Sequence, residues 1–176
     1  MTNRVAKSTA RLFFALWPDA QVRAQLAGAR GHGKPVAAAN LHLTLAFLGQ
    51  VESDRWSELS EAGRGTRIDP FNLRLDRFGL FRRARVLWLG PSTVPDRLTK
   101  LHHDLWRQLN SLGYDNDHAH FRPHVTVARK YNGPVPADSI DVRWAVSSFA
   151  LMRSDSTPHG VRYSVMSRFP DPVNSS

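Results

Sequence analysis

Between Asn40 and Leu48 apolar and polar positions alternate: Leu41, Leu43 and Leu45 fall on one side, His42, Thr44 and Ala46 on the other. That period of two is the signature of a half-buried strand. The same pattern returns over His124–Ala128, in Phe71, Leu73 and Leu75, and in Ile140, Val142, Trp144 and Val146, which runs on into Phe149 and Leu151. Val161, Tyr163 and Val165 predict a last strand, and the apolar runs Arg11–Leu16 and Val86–Leu89 predict two more. Strand 71–75 is expected to join strand 86–89 through the basic turn Arg82-Arg83-Ala84-Arg85.

Helical spacing appears in three places. Asp19 can cap a helix over about 19–29, with Val22, Leu26 and Ala29 on one face. Ser53 is placed to cap a short helix to about Ala62, with Trp56 and Leu59 turned inward. The longest runs from Thr93 to Leu112, carries Leu98, Leu101, Leu105, Leu109 and Leu112 at i, i+3/i+4 spacing, and is stopped by Gly113. Gly31, Gly33 and Pro35 break the chain, as do Gly133-Pro134 and Pro136, and 154–160 reads as a loop. Nothing resembles an interdomain linker, so residues 1–176 are expected to form one α+β domain.

Composition narrows the chemistry. A chain of 176 residues, 41% hydrophobic with five Trp and nine Phe, is long and apolar enough to bury a core. No apolar run is long enough for a membrane span, and the N-terminal run Leu12–Trp17 is too short for a leader peptide, so it reads as a buried strand. The absence of Cys removes disulfides, thiolate nucleophiles and Cys-based zinc sites, and fits a cytoplasmic protein. The net charge is 24 − 15 = +9. Such a surface attracts polyanions over roughly 8–10 Å at physiological salt, although charge alone serves solubility equally well.

The repeat is more informative. His42-Leu43-Thr44-Leu45-Ala46 recurs as His124-Val125-Thr126-Val127-Ala128. One His-x-Thr on a strand is what an ordinary sheet residue looks like; two copies sharing the aliphatic–Thr–aliphatic–Ala continuation are much harder to obtain by accident. In a strand, the His and Thr of each copy share a face while the aliphatics anchor the other. Two copies on neighbouring strands would present two imidazoles across a groove, each beside a hydroxyl. Neutral imidazole can take a proton from water or a ribose hydroxyl, and imidazolium can give one to a departing ribose oxygen. The threonines can donate hydrogen bonds to phosphate oxygens. Both protonation states are accessible near neutrality for an imidazole of ordinary pKa, about 6.5.

HLTL and HVTV resemble the paired motifs of the two-histidine (2H) phosphoesterase superfamily, and more narrowly the RNA 2′,3′-cyclic phosphodiesterases, also called 2′-5′ RNA ligases. The likeness extends over the opening RLFFAL strand with its following Pro-Asp, NLHLTLAFLGQV, FRPHVTVAR and the closing Gly160-x-x-Tyr163. The resemblance implies a bilobal α+β fold of two pseudo-symmetric lobes, with two antiparallel sheets flanking a central groove and helices outside. It also implies His42 as proton donor, His124 as proton acceptor, and Thr44 and Thr126 as phosphate-binding residues. The implied reaction opens an RNA terminal 2′,3′-cyclic phosphate to the 2′-phosphomonoester with no metal or nucleotide cofactor. Some members also join or cut 2′-5′ linkages in tRNA halves. A monomer is expected.

Arg129 and Arg122 are candidate RNA-binding residues, although regular alternation would send Arg129 to the opposite pleat from Thr126 unless the strand ends there. The turn arginines Arg82, Arg83 and Arg85 offer a second basic patch, with a solvated face as the plainer reading. Phe14, Trp17 and Phe47 are candidates for base stacking, with core packing as the default for each. Rival readings stay open at this point. His118-x-His120-x-x-x-His124 is spaced to bind zinc, although Asp115 and Asp117 are only loosely placed for an accepted ligand pattern and His42 is left unexplained. A non-catalytic RNA-end-binding module and a phosphodiesterase of small cyclic nucleotides are the others.

Overall fold

The two strands that carry the repeat lie side by side. In the computed structural model, which describes residues 7–29, 33–116 and 120–172, β3 (Leu43–Glu52) and β7 (Val125–Arg129) pair antiparallel through Leu43↔Val125. Leu43, Leu45, Val125 and Val127 are at most 3% exposed, each contributing about 1.5–3 kcal/mol of apolar burial. The motif histidines and threonines on the other face are half-buried.

Around this seam runs an eight-stranded sheet. β1 (Thr9–Leu16) joins β3 to β9 (Phe149–Thr157), and β10 (Gly160–Phe169) forms the edge. On the other side, β7 pairs with β6 (Val86–Gly90), which pairs with β5 (Arg77–Phe81), and the two-residue β2 (Lys34–Pro35) lies against Arg129 and Ala128. Every pairing is antiparallel. A second, two-stranded sheet is made by β4 (Phe71–Leu75) and β8 (Val142–Val146). The expected α+β class with two antiparallel sheets is present; the sheets are unequal, and the surfaces facing the groove are the two halves of the larger one.

α1 (Ala20–Gly28) begins at Asp19, whose carboxylate accepts from the Val22 amide at 2.8 Å. It packs on β8, α2 (Trp56–Arg64) on β9 and β10, and α3 (Asp96–Ser111) on β3. Leu98, Leu101, Leu105 and Leu109 of α3 are buried, as its spacing predicts. Buried residues from all these elements join one apolar cluster, so the core runs beneath both motif strands.

Three expectations need correction. The basic turn joins β5 to β6, not strand 71–75 to strand 86–89; β4 leaves for the small sheet. β5 is missed by periodicity because Gly79 interrupts its apolar face, and a Cβ there would sit 2.0 Å from the Trp88 ring. Residues 154–157 continue β9 instead of looping, since Ser154–Thr157 pair with Tyr163–Gly160 through backbone hydrogen bonds that need no apolar pattern. Ser53 opens a 3₁₀ turn over Ser53–Arg55 and does not cap α2; its amide is bonded to the Ser8 carbonyl at 2.8 Å.

Candidate active site

Antiparallel pairing at Leu43↔Val125 sets the rest of the site. One residue either way along the register, His42 comes opposite Thr126 and Thr44 opposite His124. All four line one groove of ≈ 700 Å³ between the halves of the large sheet. Residues 82 positions apart in the chain thus face each other because the aliphatics between them are locked in the core.

The imidazoles are held alike. His42 Nδ1 lies 2.7 Å from the Asn40 carbonyl and His124 Nδ1 lies 2.7 Å from the Arg122 carbonyl, each two residues earlier in the chain. A carbonyl only accepts, so Nδ1 carries the proton in both and Nε2 of the neutral ring is left as the basic atom. The Thr44 hydroxyl lies 3.1 Å from His42 Nε2 and donates to it when the ring is neutral. Asn40 also reaches across to β10, its side-chain amide donating to the Val161 carbonyl at 2.9 Å.

Aromatic walls fix both rings. His42 sits 5.0 Å from Phe13, 5.8 Å from Trp17 in a stacked arrangement and 5.1 Å edge-on to Tyr163. His124 meets Phe81 edge-on at 4.9 Å and Trp88 at 6.0 Å. Trp88 is the register partner of Thr126, is 7% exposed, and its indole N–H has no hydrogen-bond partner among the described residues.

These surroundings decide the charge of the free site. Burial pushes His42 down to about 4 against the stabilising Asn40 carbonyl, with His124, Arg129 and Arg23 adding repulsion. His124 is lowered as well, again chiefly by burial, then opposed by the Arg122 carbonyl. Both imidazoles are therefore neutral at pH 7.

The groove is cationic along its rim. Arg11, Lys34, Arg129 and Lys130 line it together with the four motif residues. Arg129 faces the groove because β7 ends at it: Lys130, the next residue, takes a left-handed φ of 53° and breaks the alternation. Arg122 lies elsewhere. It borders a second pocket of ≈ 600 Å³ on the other side of His124, with Phe47, Phe81, His102, Trp106 and Phe121. There His102 stacks on Phe121 at 3.8 Å and 10°, and burial lowers its pKa to about 4.

Of the stacking candidates, Phe14 is fully buried in the core, Trp17 packs on His42, and Phe47 is 56% exposed at the edge shared by both pockets. The motif reading brings together all four of its residues. It misses Phe13, Phe81 and Trp88, and Tyr163 was flagged only through Gly160-x-x-Tyr163; a ring on another strand leaves no local signal of what it touches. For the zinc alternative, His118 lies outside the described residues. Among the described residues no three His, Asp or Glu side chains are grouped as metal ligands, and none of the described helices is long and apolar enough to cross a membrane.

Residues 15–158 match the family model of the 2′-5′ RNA ligase superfamily. The chain is 36% identical over 167 residues to the RNA 2′,3′-cyclic phosphodiesterase of Escherichia coli K12, covering 90% of this chain and 95% of that protein. The protein of the same description from Thermotoga maritima is 35% identical, covering 78% of this chain and 79% of its own length. Among solved structures, E. coli LigT complexed with 3′-AMP superposes with a TM-score of 0.83 at 35% identity, over 92% of this chain and 98% of that one.

Proposed function

This chain belongs to the 2′-5′ RNA ligase superfamily, and on that footing we propose that it opens the 2′,3′-cyclic phosphate at an RNA 3′ end to the 2′-phosphomonoester. The observation that carries this reading is the register itself, which puts two imidazoles and two hydroxyls around one cationic groove.

In this reading the cyclic phosphate lies between the two strands. His124 Nε2 takes a proton from water as the water oxygen bonds to phosphorus. The bond from phosphorus to the 3′ oxygen breaks, and His42 Nε2 gives that oxygen its proton. Thr44 and Thr126 donate to the non-bridging oxygens, and Arg129 offsets their charge. The order of donor and acceptor is the family's. With its pKa lowered to about 4, His42 must gain its proton as the anionic phosphate arrives and supplies the opposite charge beside it. The aromatic pocket beyond His124 offers a face for a base to stack on.

The chain acts in this reading as one two-lobed domain and as a monomer, needing no cofactor, with tRNA halves among the RNAs to be tested. Incubation in metal-free buffer with an oligonucleotide ending in a 2′,3′-cyclic phosphate is expected to give the 2′-phosphomonoester. A 3′-phosphate product, or no turnover, overturns the reading.

A further inference from the structure

The excess positive charge of the chain is not spread evenly. On α2, α3 and the small sheet most cations are neutralised in place: Arg64 pairs with Glu61, Lys100 and Arg107 with Asp104, and Arg74 and Arg143 with Asp141, while Arg97 of α3 donates to the Pro70 carbonyl. At one end of the groove the opposite holds. Lys34, Arg129, Lys130, Arg85, Arg83 and Arg82 are all exposed, and none forms an ion pair with a described residue.

These six are joined by backbone contacts into one surface. Lys34 is the register partner of Arg129. The Tyr131 amide donates to the Arg85 carbonyl at 3.0 Å, and the Arg85 guanidinium donates to the Lys130 carbonyl at 3.3 Å. The β5–β6 turn is thereby stitched to the end of β7, where the groove opens. Arg85 holds this join with a left-handed φ of 55°, a conformation uncommon outside glycine. Arg82 and Arg83 lie on the same turn with their heads unpaired.

We propose that this turn continues the groove as a track for the RNA body, gripping phosphates upstream of the cyclic end. The inference rests on the reading of the groove given above and makes the substrate a polymer rather than a mononucleotide. A cyclic mononucleotide has no phosphate beyond the one being opened and gains nothing from Arg82 and Arg83. An oligonucleotide does, because each phosphate neutralised releases counterions. A protein partner with an acidic surface is the competing occupant, and the assay separates the two.

The test compares the double variant Arg82→Glu/Arg83→Glu with wild type on two substrates: a 2′,3′-cyclic mononucleotide and a single-stranded oligonucleotide with the same terminal nucleoside. For the oligonucleotide, KM is expected to rise about tenfold near 0.1 M salt, and replacing both arginines by alanine should lower the slope of log affinity against log salt by about 1.4, at roughly 0.7 per phosphate contact. Mononucleotide kinetics are expected to be unchanged, and Arg82→Lys/Arg83→Lys should restore most of the oligonucleotide KM. Equal losses on both substrates, or no loss on either, overturn the track. If wild type opens neither substrate, the proposed activity fails by itself. The track is then judged on salt-dependent binding of an uncleavable oligonucleotide, and binding indifferent to the glutamates overturns it.

Discussion

Leu43 pairs with Val125, and through that pair each catalytic-candidate histidine faces the threonine of the other motif. The two motifs are therefore arranged as a crossed set. Replacing His42 or His124 with alanine is expected to lower kcat for cyclic-phosphate opening by about 10²–10⁴. Binding of the RNA end should change only a few-fold, and the double variant should be little worse than either single one. Single-turnover assays with and without excess enzyme check this. Both variants retaining full RNA binding, alongside a wild type that never turns over, would identify a binding module instead.

Thr44→Val and Thr126→Val keep shape and burial while removing a donor. Each is expected to cost about 10²–10³ in kcat if the hydroxyls stabilise charge on the phosphate. A rise in KM with kcat intact would place them in ground-state binding alone.

Acidity acts on both stability and turnover. His42 and His102 bind a proton near 6.5 in the ordinary state but only near about 4 in the fold. Between those values the unfolded chain binds more protons, so stability is present above 6.5 and is lost as pH falls toward 4. Thermal melts should show Tm falling across that window, less steeply for His102→Gln. For turnover, the bell of kcat/KM should lie acid of the bell of kcat, because the bound phosphate favours imidazolium. Each limb belongs to the coupled pair. A flat profile from pH 5 to 9 contradicts acid/base catalysis by these residues.

Gly79→Ala tests the wall behind His124. The added Cβ would overlap the Trp88 ring, which must move against His124 and Thr126. Overpacking is expected to cost about 1–3 kcal/mol of stability, and a displacement of order 1 Å at the imidazole to cost about 10² in kcat. Trp88→Phe, which removes a buried N–H that has no partner among the described residues, should lower kcat with little loss of Tm; equal loss of both makes Trp88 a packing residue only.

Chelation settles the zinc alternative. Full activity after exhaustive EDTA treatment is expected; activity lost to EDTA and restored by zinc would give the His120–His124 segment a metal role.

The half-buried motif strands and the long amphipathic α3 were legible in the sequence because burial on one face imposes its period on the residues. β5 and the outer part of the β9–β10 hairpin were not, since Gly79 erases one pattern and Ser154–Thr157 have nothing to bury. At the groove, the four side chains of the repeat come together as its spacing implies, while the packing of Phe13, Trp17 and Tyr163 around His42 depends on pairings between β1, β3, β9 and β10. Arg129 shows the same limit: its side depends on where β7 stops.

The two carbonyls that hold Nδ1 of His42 and His124 also bear on the direction of the reaction. With those atoms committed, each ring can exchange a proton only at Nε2, and the rings leave a turnover with their charges swapped. In the proposed mechanism the spent acid and the charged base are already set for the opposite reaction, in which the 3′ hydroxyl attacks phosphorus and gives its proton to His42 while His124 gives one to the departing oxygen. Nothing in the groove would have to be rebuilt to close the ring instead of opening it. Once both rings have exchanged protons with solvent, an RNA hydroxyl in the place of water would be served by the same two transfers as hydrolysis, with His124 as base and His42 as acid.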